Sequence, residues 1–352
     1  MLLLVVALTA LTAAEDVEET DTDTDETPDL AERETVTDSP AADATLRYTT
    51  DLSDAELEKK FVEDLPSLGS VSVGLAEAGR VMNGVQLQPS AHVDVVAPEA
   101  AWGTEEVIGY LQTVADDVAA ACPDAAPLRV NHIGKKEGGY LRPHFSHQSG
   151  RDVDIGFYYV AGTDIRNLKG SRIGAMDLEA NWALVKALAA KADVQVVLLD
   201  RKVQAALYEF AKAKGEDEAL LEALFRNGAA SKFQHARRHK DHFHVRFFSP
   251  RAQELGRRVQ PLLAKRPDEN KLVHRVRAGE TLGHIAMKYG STVKMIQKAS
   301  GLAGTMLSIG RTLVVPLRGP CTQCPATPPV VVPPRLIVAA PSEPEALETS
   351  VE

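Results

Sequence analysis

Two short stretches alternate apolar and polar residues in the period of a β-strand. In DVDIGFYY (152–159), Val153, Ile155 and Phe157 share one face, and Asp152 and Asp154 share the other. In HFHVRFF (242–248), Phe243, Val245 and Phe247 point one way, while His242, His244 and Arg246 point the other. Each pattern predicts a strand whose apolar face enters a core and whose polar face lines a common opening. LRVNHI (128–133) and VQVVLL (194–199) are two further strand candidates. Elsewhere the period becomes helical. In GTEEVIGYLQTVADDVAAAC, Val107, Leu111, Val114 and Val118 fall on one helix face, and Thr104 suits the N-cap. LEANWALVKALAAKA, KVQAALYEFAKAK and EALLEALF read as three more helices. A few antiparallel strands with helices alongside predict an α+β domain: a small antiparallel sheet with flanking helices.

Length and charge divide the chain further. Its 352 residues suffice for about two domains. The net charge is −10, but thirteen acidic residues against one arginine between Glu15 and Asp43 account for −12, which leaves about +2 elsewhere. The acidity belongs to a tail, and nothing is basic enough to suggest nucleic acid as the main partner. Residues 15–46, rich in Glu, Asp and Thr, read as a disordered segment. Before them, the apolar MLLLVVALTALTAA (1–14) falls short of the about 20 apolar residues that span a bilayer. It suits the apolar region of a signal peptide, with Ala13 and Ala14 near the cleavage point, although no basic residues precede it. Export to the periplasm or the outside, in association with the wall, is the resulting expectation, with no stable membrane insertion.

The mixed region 47–262 is expected to be one domain. KRPDENK (265–271) marks a linker at 263–272, and residues 273–317 form a small unit reading strand, helix from Thr281, helix from Thr292, and a final strand LVVP. Residues 318–352 are a Pro-rich acidic tail, read as surface or linker. Three cysteines are too few for a disulfide framework or a four-ligand structural zinc site. A local Cys321–Cys324 disulfide, with Cys122 simply buried, is the reading they support.

Candidate chemistry sits on the polar strand faces. Two imidazoles and two carboxylates turned toward one opening are costly unless something satisfies them, and a divalent metal does so. A catalytic zinc site takes three protein ligands and keeps one position open for water. His147, joined to Asp154 through the turn-forming Ser149-Gly150, supplies a nitrogen and an oxygen. One histidine of the His242/His244 pair supplies a third ligand and leaves the other beside the metal. Any single histidine here is better read as a satisfied surface residue. However, five of the ten histidines fall in the windows 144–147 and 239–244, both leading into strands, and that density favours a metal site.

His-x6-Asp followed by His-x-His resembles the zinc peptidases that group lysostaphin-type, D-Ala-D-Ala-cleaving and hedgehog-like proteins. More closely, SHQSGRDVDI with FQHARRHKDHFHVRF is similar to the penicillin-insensitive murein endopeptidases, and SLGSVSVG (67–74) resembles that family's start. The resemblance covers roughly residues 65 to 250. It implies one zinc ion per chain on His147, Asp154 and His244, with His242 as the catalytic histidine, acting as base or as stabiliser of the tetrahedral intermediate. His239 matches a position near the site as a second catalytic candidate, His144 matches one in a supporting role, and Asp152 fits a supporting role that orients a ligand. Arg246, on the same face, is grouped with the supporting residues, as a partner for a substrate carboxylate or a solvated rim residue. The implied reaction is hydrolysis of the D-alanyl–meso-diaminopimelate cross-link of peptidoglycan.

The C-terminal unit, with V-x-x-G-E-T-L-x-x-I-A (276–286) and I-G-x-x-L-x-V-P (309–316), resembles a βααβ LysM module. That resemblance implies binding of N-acetylglucosamine-containing glycan near Gly279, Thr281, Leu282, Ile309 and Gly310. Such a module raises effective concentration at an insoluble substrate without adding chemistry. Two rival readings stand: a D,D-carboxypeptidase using the same metal site, and a non-catalytic LysM wall-binding protein.

Overall fold

The structure is a computed structural model that describes residues 52–165, 172–321 and 329–336. The expected signal peptide and acidic segment lie outside the described residues, as does Cys324. The chain begins with α1 (Asp54–Glu63), a hairpin of β1 (Val71–Leu75) and β2 (Ala78–Met82), and the short strands β3 (Val85–Gln86), β4 (Val93–Val95) and β5 (Trp102–Gly103). It continues through α2 (Glu105–Ala121), β6 (Leu128–His132), β7 (Asp152–Gly156), α3 (Leu178–Lys191), β8 (Val194–Leu199) and α4 (Arg201–Ala213). The larger region closes with α5 (Glu218–Leu221), β9 (Phe233–His235), β10 (His242–Phe247) and α6 (Pro250–Val259). The C-terminal unit comprises β11 (Lys271–Arg275), α7 (Leu282–Lys288), α8 (Val293–Ala299) and β12 (Thr312–Pro316).

Six strands make the main sheet in the order β4-β6-β7-β10-β8-β9. The four central strands pair antiparallel, as the α+β expectation requires, and parallel pairings of β4 with β6 and β8 with β9 extend the sheet at both edges. β7 ends at Gly156, short of the run to Val160. The register sets His244 opposite Asp154 and Arg246 opposite Asp152, with Phe243 opposite Ile155 and Val245 opposite Val153. One face of the central ribbon therefore carries only apolar residues. It packs with α2 and α3 into the main core, where Val153, Ile155, Phe243, Val245 and Phe247 are each 0% exposed. Full burial of each such side chain contributes roughly 1.5–3 kcal/mol.

α2 starts where expected: the Thr104 side chain accepts the Val107 amide. The three other anticipated helices also form, the last as the short α5 followed by a π turn over Glu222–Arg226. A second, smaller core gathers Leu57, Phe61, Leu68, Val71, Leu255 and Val259 from α1, the short turn Leu65–Leu68 after it, β1 and α6. Helix α6 was not anticipated from the sequence, and its capping explains why. Ser249 gives no side-chain cap, and the amides of Arg251 and Ala252 instead donate to the Glu106 carboxylate on α2, both at 3.0 Å. A Cβ on Gly256 would lie 1.8 Å from the Ser72 carbonyl oxygen, so α6 reaches β1 only because that position is glycine.

The C-terminal unit has the anticipated strand, two helices capped by Thr281 and Thr292, and closing strand, around a core of Val276, Leu282, Ile285, Ile296, Leu313 and Val315. The segment read as a linker is packed. Leu263 is buried, Arg266 donates to the carbonyls of Phe61 and Val62, and Glu269 pairs with buried Arg80 of β2. Residues 329–336 of the tail return to the larger region. Val332 is buried there, and Arg335 Nε donates to Asp193 Oδ1 at 2.7 Å. Cys321 is disulfide-bonded, whereas Cys122 is free and only half-buried, not simply buried as anticipated.

Candidate metal centre

On the polar face of β7 and β10, every residue but His242 is nearly as buried as those of the apolar face. Asp152 is 0% exposed, Arg246 1%, Asp154 2% and His244 4%. The loop between β6 and β7 closes over it and carries His144 and His147. A Cβ on Gly138, at the start of that loop, would meet the Gln148 carbonyl oxygen at 2.3 Å, so glycine there lets the loop fold back on itself. His147 sits in the left-handed backbone region, with φ of 64°. Its amide donates to Asp152 Oδ2 at 3.1 Å, which helps hold that conformation.

Asp154 is the hub. Its Oδ1 lies 3.1 Å from His147 Nε2, 3.1 Å from His244 Nδ1 and 3.6 Å from His242 Nε2. Its Oδ2 faces His144 Nδ1 at 3.4 Å and His132 Nδ1 at 3.8 Å. The outer nitrogen of each inner histidine is engaged. His147 Nδ1 donates to the Ile133 carbonyl at 3.0 Å, and His244 Nε2 lies 3.3 Å from Asp152 Oδ1. Asp152 is in turn held by Arg246 Nε at 2.7 Å. A hydrogen bond on one ring nitrogen fixes which nitrogen offers its lone pair. His147 therefore presents Nε2 and His244 presents Nδ1 to the same carboxylate oxygen. The three donor atoms lie within 4.8 Å of one another. This two-histidine, one-aspartate set fits a divalent ion of the borderline kind that takes imidazole and carboxylate together.

Electrostatics follow the same lines. Burial opposes charge on Asp152, but Arg246 and His244 outweigh it and hold the carboxyl well below its usual range. Asp154 is likewise held low against burial by His147 and its other histidine neighbours. Burial also opposes charge on His244, yet Asp152 and Asp154 together raise it to about 9. His144 and His239 are pushed down to about 3, chiefly by burial and then by the neighbouring imidazoles.

His242 occupies the open side, with its side chain 20% exposed. Its Nδ1 pairs with Asp241 Oδ1 at 2.8 Å, which turns Nε2 toward Asp154. His239 Nδ1 is bound to the Arg237 carbonyl at 2.7 Å, and its ring lies 5.1 Å from that of His242 and 5.3 Å from that of His244. All eight residues anticipated at this site are thus brought together, with one correction. Arg246 is neither a rim residue nor available to a substrate carboxylate, because it is buried and spends its guanidinium on Asp152.

Sequence reading missed His132 and Asp241. Strict alternation puts His132 on the apolar side with Leu128 and Val130. The ladder between β6 and β7 shifts register after Val130, so Val130 faces Ile155 while His132 faces Asp154. Asp241 had a usable signal: a carboxylate immediately before the exposed histidine.

In the C-terminal unit, the two loops anticipated to bind glycan lie side by side, with Gly310 N donating to the Val276 carbonyl at 2.8 Å. Gly279, Thr281 and Ile309 are exposed and Gly310 half-buried. Leu282 is 2% exposed and belongs to the unit's core, so its side chain is no part of a binding surface.

An α+β domain with a buried two-histidine, one-aspartate donor set, joined to a βααβ unit, is the class that fold and site define. Residues 72–278, more than half of the chain, match the family model for penicillin-insensitive murein endopeptidase, and the chain belongs to that family. Residues 274–316 match the LysM domain. No curated protein matches the chain. Among the described residues, no helix is long and apolar enough to cross a membrane.

Proposed function

We propose that this protein is an exported, zinc-dependent endopeptidase that hydrolyses the D-alanyl–meso-diaminopimelate cross-link of peptidoglycan and engages N-acetylglucosamine-containing glycan through its LysM domain. Family membership supports action on murein. The observation that carries the metal is Asp154 Oδ1 between His147 Nε2 and His244 Nδ1, each 3.1 Å away, with the outer nitrogen of both histidines already engaged. Those three residues are the proposed ligands. Bound there, zinc supplies a Lewis acid that activates water and polarises the scissile carbonyl.

The remaining residues divide the other tasks. Asp152, anchored by Arg246, keeps the His244 ring turned so that Nδ1 faces inward. Asp241 does the same for His242, directing Nε2 into the open side of the site. There His242 takes the proton of the attacking water or steadies the oxyanion, and then returns a proton to the leaving amine. His239 and His144 stay neutral in their buried positions and complete the wall around the reacting groups. These roles fall to histidines, so the proposed reaction is direct hydrolysis by water without an acyl-enzyme.

The test is mass spectrometry of purified peptidoglycan fragments before and after incubation, with and without a chelator. Conversion of cross-linked dimers to monomers that stops on chelation is the expected result. Trimming of monomeric stem peptides with dimers untouched would replace the endopeptidase reading by a carboxypeptidase.

A further inference from the structure

The LysM domain is docked on the very loop that carries His144 and His147. Gln148, next to His147 and 0% exposed, donates from Nε2 to Thr312 Oγ1 of β12 at 3.0 Å. The Arg275 guanidinium of β11 lies over the ring of Phe145, 3.3 Å from its centroid. That guanidinium also lies close to Gly310, where an added Cβ would be 3.0 Å from Arg275 Nη2. Gly310 is bonded to Val276, so the loops proposed to hold glycan connect to His144 through Gly310, Arg275 and Phe145 in succession. A further tie holds the domain in place: Arg80 Nη2 of β2 donates to the Glu269 carbonyl at 2.7 Å.

A freely tethered module would raise local concentration at an insoluble wall and leave the reaction itself indifferent to sugar. A docked one fixes the distance between bound glycan and the reacting bond. We infer that the LysM domain is a fixed extension of the substrate-binding surface, and that the enzyme selects cross-linked peptides still carrying their glycan over the same peptides stripped of sugar. Arg275 and Thr312 are the positioning residues of this arrangement. The inference rests on the proposed activity and on glycan binding by LysM.

The experiment uses the full chain and two soluble probes with one cross-linked peptide. One probe retains its N-acetylglucosamine-containing oligosaccharide, and the other has been freed of it by an amidase. The wild-type protein is expected to favour the glycan-bearing probe in kcat/KM by on the order of 10²-fold, within the range of bivalent gains. An Arg275→Ala, Thr312→Val, Glu269→Ala variant should still be retained by insoluble glycan, showing a folded LysM domain. It should cleave the stripped probe near the wild-type rate and lose most of the preference.

Equal wild-type kcat/KM on both probes overturns the inference while leaving the proposed activity intact. So does full preference in the loosened variant, because tethering alone would then explain it. Cleavage of neither probe removes the proposed activity itself, and this inference with it.

Discussion

The two faces of the β7–β10 ribbon, His242 at the open side apart, are both buried and do opposite work. On one, Val153, Ile155, Phe243, Val245 and Phe247 lose all contact with water and contribute to stability by leaving it. On the other, Asp152, Asp154, His244 and Arg246 are just as secluded, yet each is stabilised only through a named partner. Removing one partner of a buried charged pair costs far more than its net contribution suggests. Burial alone therefore does not tell a core from a site. The partner list does.

That comparison can be broken from the polar side first. His244→Ala should lose metal and turnover together, to the limit of detection, when zinc content and dimer cleavage are measured on folded protein. His242→Ala, two residues away on the same face, should keep near-wild-type zinc and lose roughly 10²–10⁴-fold in turnover. If His242→Ala lost zinc while His244→Ala retained it, the two roles would be exchanged.

On the apolar side, Phe243→Ala should cost about 3–5 kcal/mol of stability by calorimetry. It leaves the ligand set untouched, so the variant that remains folded should still load zinc. Loss of zinc from that folded fraction would show that the two faces are not separable. A smaller effect is expected at Asp152→Asn, which keeps the shape but loses the charge that orients His244. Metal affinity should weaken by about 10–100-fold in a chelator competition.

The smallest effect is in the pH profile of the metal-stripped protein. His244, raised to about 9, adds stability that is complete below about 6.5 and is lost as the pH climbs through 9. His144 and His239, lowered to about 3, act the other way. The unfolded chain takes protons that the folded chain refuses, so stability falls as the pH drops from 6.5 toward 3. Thermal melts in a chelator should therefore be highest near neutrality and fall on both sides. Zinc should flatten the alkaline limb, since it takes the place of the proton on His244. An alkaline limb unchanged by zinc would argue against His244 as a ligand.

Much of this was legible because the relevant interactions are local or strictly periodic. Period-two alternation alone places Asp152 and Asp154 with His244 and Arg246, and Thr104 caps α2 from within its own turn. What escaped depended on distant partners. The capping of α6 comes from Glu106, about 145 residues earlier, and no local pattern announces it. His132 reached the site through a register shift that alternation cannot foresee. Charge likewise misled at 265–271, where a run typical of linkers proved to contain Glu269, the partner of buried Arg80.

The docking of Gln148 and Phe145 on Thr312 and Arg275 bears on how such a chain can be recombined. LysM units look like interchangeable cassettes because each has its own core. Here a donor cassette must also bring a hydroxyl at the place of Thr312 and a guanidinium at the place of Arg275. Otherwise the Gln148 amide, next to His147, loses one of its two acceptors and keeps only the Phe145 carbonyl, and the Phe145 ring is left uncovered. A chimera joined neatly at the domain boundary would respect both folds, keep the hydrolytic site, and still lose the fixed spacing between bound sugar and scissile bond.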